Sequence, residues 1–164
     1  ILLSLLPIIL CVKLVPIVRM FSEEGLNTYP LNGNETIALG KKGFKKFEEA
    51  GYLLSVEEYD NLKEKCPDLR AIIRYATNFG GKIMYRLSPT YDLTSKSVIG
   101  FAVLSSKCGA NAAVREFSAK TQPDHIYMLS TLKKSFPPYS KYVMSGTPFY
   151  VWTKDYTGDF TDRK

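Results

Sequence analysis

The chain has 164 residues, 45% of them hydrophobic and 23% charged, with a formal net charge of +6 and a pI near 9.1. That length buries a core within one domain, and the composition excludes a disordered or low-complexity chain. The basic residues are dispersed, so nucleic acid is not expected as a partner, and 11 Tyr and 9 Phe against one Trp lean the chain towards strands.

In chain order, Ile1–Val18 is almost wholly apolar, but Pro7, Lys13 and Pro16 interrupt it. A membrane span is therefore not expected. Ile1–Leu10 reads as an apolar arm or extra strand, or as the remnant of a signal h-region. Val12–Ser22 reads as a strand, and Tyr29-Pro30-Leu31 closes a hairpin with it. A turn carrying Asn34-Glu35-Thr36 and a lysine-rich loop follow, and Gly51-Tyr52-Leu53-Leu54 begins the next strand. Ser55-Val56-Glu57-Glu58 has the form of a capping box, so one short helix is predicted over about residues 55–65, stopped by Pro67. Arg70–Thr77 and Lys82–Ser88 read as a hairpin around Asn78-Phe79-Gly80-Gly81. Val98–Leu104 and Thr147–Thr153 read as short buried strands, and Asp155–Lys164 as a polar tail.

These segments recur. Cys11, Cys66 and Cys108 are each followed, five residues on, by a similar run: Pro16-Ile17-Val18-Arg19, Ala71-Ile72-Ile73-Arg74 and Ala113-Val114-Arg115-Glu116. Each run leads to a Tyr-x-Leu at Tyr29, Tyr85 or Tyr127. Three units result, residues 11–65, 66–107 and 108–164, preceded by the arm 1–10. Three β-rich units of this length predict a mainly β, pseudo-threefold, β-trefoil-like domain with one inserted helix. The three tyrosines are expected at equivalent positions, and the three cysteines at equivalent, mostly buried ones. A Cys66–Cys108 bond would leave Cys11 over.

The candidate chemistry is sparse. His125 is the single histidine, and no nucleophile–base set or metal motif accompanies it, so no enzyme, metal or cofactor is expected. Asp124-His125-Ile126-Tyr127 reads as a ligand-contacting turn in which Asp124 accepts hydroxyls, His125 hydrogen-bonds and Tyr127 stacks, with Tyr85 and Tyr29 as its equivalents. The other reading of Asp124 and His125 is an Asx-type turn that satisfies backbone groups. Lys41, Lys42, Lys45 and Lys46 surround Gly43 and Phe44 as an anion-binding loop or as a solvated one. Asn34 begins the only N-glycosylation sequon.

The runs Val15–Phe21, Gly40–Glu48, Ala113–Ser118 and Asp124–Met128 together resemble the tandem repeat of an uncharacterised secreted-protein family. Its pattern runs V-P-L-Y-R-Y-F, D-H-F-Y-T-T, G-Y-x-x-E-G. Only the third unit keeps Asp-His, so the resemblance is to a divergent member, and it implies secretion without implying an activity.

The function expected from all this is a secreted, non-enzymatic, lectin-like binding module for glycans. The alternative is a structural subunit of an extracellular assembly, with Ile1–Leu10 as the means of self-association.

Overall fold

A computed structural model describes residues 11–132 and 141–160. The arm Ile1–Leu10, and with it the self-association expectation, lies outside the described residues, as does the end of the tail. The fold is mainly β. Its strands are β1 Leu14–Pro16, β2 Arg19–Phe21, β3 Asn27–Thr28, β4 Lys45–Phe47, β5 Tyr52–Leu54, β6 Arg70–Phe79, β7 Lys82–Thr90, β8 Val98–Ala102, β9 Ala112–Ala119, β10 His125–Leu129 and β11 Tyr142–Val151.

Strand order repeats through the chain. The sheets run β3-β2-β4 and β10-β9-β11, and β7-β6-β8 forms the end of a five-stranded sheet completed by β5 and β1. Each time, the first strand of the group lies between the second and the third. All these pairings are antiparallel, as short connections require. The segment predicted as one strand over Val12–Ser22 is broken between β1 and β2, and its partner strand is broken in step: Leu14 pairs with Leu54, whereas Arg19 pairs with Phe47. Between β9 and β11 the register likewise shifts around Gly146.

Strands β5, β8 and β11, with the residues just past β8 and β11, meet pairwise: Leu54 with Phe101, Val103 with Tyr150, and Tyr52 with Trp152. They pass so close that a side chain on Gly51, which has φ +80, would have its Cβ 2.6 Å from Val151 Cγ2. Around this junction Ile17, Tyr29, Leu53, Ile72, Leu87, Val114, Tyr127, Phe149 and Val151 form the main core. A second core holds the Cys66–Cys108 disulfide together with Leu54, Leu62, Leu69, Phe101, Trp152 and Phe160. Trp152 Nε1 donates to the Cys108 carbonyl at 3.1 Å.

Several expectations are corrected. Cys66 and Cys108 are buried, but Cys11 is exposed and is a free thiol. The tail is not uniformly polar in its packing, because Tyr156 and Phe160 stack edge-on and Phe160 lies against Trp152. The inserted helix is present as a 3-10 turn, Val56–Glu58, followed by α2, Tyr59–Leu62, although the Ser55 side chain does not cap it. Gly33–Lys41, read as a turn and loop, is helix α1. Asn32 Oδ1 accepts from Glu35 N at 3.0 Å and Glu35 Oε2 accepts from Leu31 N at 2.7 Å, so the helix start is satisfied by its own sequence. At its other end Gly43, at φ +87, lets Phe44 N reach Leu39 O, which ends the helix in a Schellman turn.

Candidate functional site

One position in each group carries a charge at the end of the main core. Arg19, Arg74 and Glu116 each stand eight residues after their cysteine, and each is drawn inwards by an opposite charge. Arg19 bonds Glu49 at 3.1 Å and Asn27 Oδ1 at 2.9 Å. Arg74 bonds Glu35 at 2.8 Å and the Tyr29 carbonyl at 2.7 Å, and its guanidinium lies over the Tyr85 ring at 4.5 Å. Glu116 receives Arg86 Nε at 3.0 Å and the Tyr127 hydroxyl at 2.8 Å, and His125 Nδ1 lies 3.0 Å from it. Burial alone would raise the Glu116 carboxyl, but His125, Tyr127 and Arg86 together hold it down at about 2. In return Glu116 raises the Arg86 guanidinium above its ordinary value.

Asp124 lies deeper. Its Oδ2 accepts from Tyr142 OH at 2.5 Å and from Asn27 Nδ2 at 2.8 Å, while Oδ1 is buried without a partner. Burial accordingly pushes its carboxyl up, against the opposing hydrogen bonds. Burial likewise raises Tyr29, Tyr127 and Tyr142.

The expected ligand residues are thus brought together, but as a network turned inwards. Tyr29 and Tyr127 are buried with their rings 5.4 Å apart, edge to face, so neither offers an open face. Tyr29 OH donates to the His125 carbonyl, and the Tyr127 hydroxyl, whose one proton goes to Glu116, accepts from Leu87 N at 2.9 Å. Tyr85 is not their equivalent. Glu116 pairs with Tyr127, whereas the residue opposite Arg74 is Leu87. Ser118 Oγ, His125 and Glu116 stand in contact, yet serine and carboxylate approach the same ring nitrogen, Nδ1, at 3.3 and 3.0 Å. A catalytic triad needs them on opposite nitrogens.

The lysine loop does not converge. Lys45 and Lys46 follow one another along β4 and so project from opposite faces, and Lys46 is paired with Glu48. Lys41 and Lys42 end α1, where they complement its carbonyl end.

The part of this region that is open to solvent was not singled out from the sequence. The β6–β7 hairpin continues past the core to a Gly80-Gly81 turn, both residues with positive φ, as a tight two-residue hairpin requires. Tyr75 pairs directly with Arg86, and Phe79 with Lys82, so all four side chains share one face. On the neighbouring sheet Val143, Ser118 and His125 are paired in a row, on the face that carries Glu116. The Arg86–Glu116 ion pair joins the two faces. On the hairpin Tyr75 is 50% and Phe79 47% exposed, on the sheet Val143 is 48% exposed, and the Arg86 side chain is 55% exposed. The sequence signal for this exposed face is a hairpin with apolar residues, Phe79 and Ile83, on both sides of a Gly-Gly turn, where a purely structural tip would be polar.

Among the described residues no helix is long and apolar enough to cross a membrane. No family model matches the chain, and comparison with curated proteins and with solved structures gives no match.

Proposed function

We propose that the protein is a secreted, non-enzymatic binding module of pseudo-threefold, trefoil-like build, and that its ligands are glycans held in a cleft between the β6–β7 hairpin and the β10-β9-β11 sheet, with the Arg86–Glu116 pair as its floor. The observation that carries this reading is the presence of two exposed aromatic rings, Tyr75 and Phe79, on the hairpin face that carries Arg86, which is partly exposed and doubly hydrogen-bonded to Glu116. Aromatic faces stack on the apolar face of a sugar ring, and planar charged groups hold adjacent hydroxyls in a set orientation. The network behind the floor keeps Arg86 and Glu116 in place before a ligand arrives, which lowers the ordering cost of binding.

Other features agree with the rest of the proposal. The repeated strand order and the pairwise meeting of β5, β8 and β11 support threefold build. A buried Cys66–Cys108 disulfide suits an oxidising compartment. The placement of Ser118 and Glu116 on one nitrogen of His125 supports a binding role over acyl transfer.

The test is an oligosaccharide array probed with the wild type and with Tyr75→Ala/Phe79→Ala. Both positions are exposed, so stability should change by no more than about 0.5 kcal/mol each. Loss of two stacking contacts should weaken binding at least about tenfold. Retention of the glycan at unchanged affinity by the double variant would rule out this cleft, and no retention of any glycan by the wild type would rule out the ligand class.

A further inference from the structure

We infer that Asn34 carries an N-linked glycan that covers the outer face of α1. The inference uses the secretion part of the reading above and is independent of the cleft. Asn34 is exposed in the first turn of α1, where Asn32 has already satisfied the helix start. The neighbours that could crowd it are turned away. Glu35 is drawn inwards by Arg74 and the Leu31 amide, Thr36 bonds back to the Asn32 carbonyl at 3.1 Å, and Gly33 has open space on its side-chain face.

A second observation says what the glycan would do. Ile37 and Ala38 follow Asn34 by three and four residues, so they share its face of the helix. Helical side chains lean towards the N-terminus, which brings Ile37 over the Asn34 turn. Ile37 is 60% exposed, more than any other large aliphatic side chain among the described residues, and no residue of α1 is buried. The helix is held on by Glu35 and its cap, and its apolar outer face has no cover. A sugar on Asn34 Nδ2 sits directly above it.

The modification joins Asn34 Nδ2 to the anomeric carbon of an oligosaccharide supplied as a polyprenyl diphosphate. The C–O bond to diphosphate breaks, the lipid diphosphate leaves, and the amide loses one proton. Thr36 is the hydroxyl residue that this recognition requires.

The test expresses the whole chain behind a secretion signal in cultured eukaryotic cells. Intact mass is measured on total lysate and on medium, with and without an amidase that removes N-glycans. The expected result is a single glycan on the wild type and on Thr36→Ser, and complete loss of it in Asn34→Gln and Thr36→Ala. Glycan-free Asn34→Gln should also self-associate more than the wild type, and Asn34→Gln/Ile37→Ser should not. A chain that reaches the medium unmodified overturns the inference while leaving secretion intact. A glycosylated chain retained inside the cell supports the inference and counts against secretion. Modification without any difference in self-association overturns the covering role.

Discussion

The cluster around Trp152 and the network around Glu116 lie in the same small domain, and each gathers side chains from distant parts of the chain. The first is apolar. Trp152, Phe160, Leu54, Leu62 and Leu69 enclose a disulfide, and the indole N–H has its partner in the Cys108 carbonyl. Such a cluster has no use for solvent and needs none. The second is ionic. Arg19, Arg74 and Glu116 each stand eight residues after a cysteine, but the third is an acid where the others are bases, and its partner Arg86 stands more than half in solvent. Arg19 closes the core against Asn27 and Glu49, Arg74 reaches across to Glu35 on α1, and Glu116 reaches across to Arg86 on the β6–β7 hairpin. Of these three partners only Arg86 has its side chain more than half exposed, and that sets the ionic region apart from the apolar one.

The largest expected effect is at the apolar end. Replacing both Cys66 and Cys108 by Ser frees a loop of 42 residues in the unfolded chain and should cost about 4 kcal/mol in denaturant unfolding, without altering affinity in the cleft. A loss of glycan binding at temperatures where the variant is still folded would show that the two ends are coupled.

Glu116→Gln should act on both stability and binding. The loss at neutral pH should be on the order of 2 kcal/mol, since Arg86 and His125 keep their positions but lose a charged partner. Its pH dependence has a definite sign. The folded carboxyl stands at about 2, below its ordinary 4.5. Its contribution is therefore complete above about 4.5 and lost as the pH falls towards 2. Wild-type stability should fall through that window and that of the variant should fall less. Parallel curves would place the ion pair outside the stability balance.

Asp124→Asn should do the reverse. Its folded carboxyl is raised by burial, so its contribution is present below the ordinary carboxylate range and is lost as the pH rises through the folded value. Relative to the wild type, the variant should gain stability from acid to neutral pH. A gain in the opposite direction would mean that Asp124 Oδ1 has a partner when the protein is folded in water.

The smallest effect belongs to the cap. Asn32→Ala should cost about 1 kcal/mol and loosen α1 alone, visible as faster amide exchange over Gly33–Lys41 with the cleft unchanged.

Much of the strand content was legible because alternation, turn residues and a repeated Cys-to-Tyr spacing all point the same way. The Cys66–Cys108 pair was among the arrangements the spacing allowed. Three things were not legible. Tyr85 aligns with Tyr127 in sequence, yet Arg74 faces Leu87, because the tight Gly80-Gly81 turn sets the pairing of β6 with β7 whatever the side-chain pattern suggests. The α1 helix is short and buries nothing, so it lacks the periodic apolar stripe by which helices are recognised; its one signal was Asn32 followed by Glu35. The candidate site was placed on Asp124, His125 and Tyr127, and these do come together. Their burial depends on chain segments far away in sequence, and no local pattern reports that.

The most direct test of the cleft is a titration with the strongest array ligand, followed by NMR signals of the Tyr75 and Phe79 rings, the Arg86 Nε–H and the His125 ring. These should shift together along one saturable curve, while the Trp152 indole signal stays in place. Saturable binding that moves the exposed Tyr91 ring or the Lys41–Lys46 loop, and leaves Tyr75, Phe79 and Arg86 unmoved, would contradict the assignment.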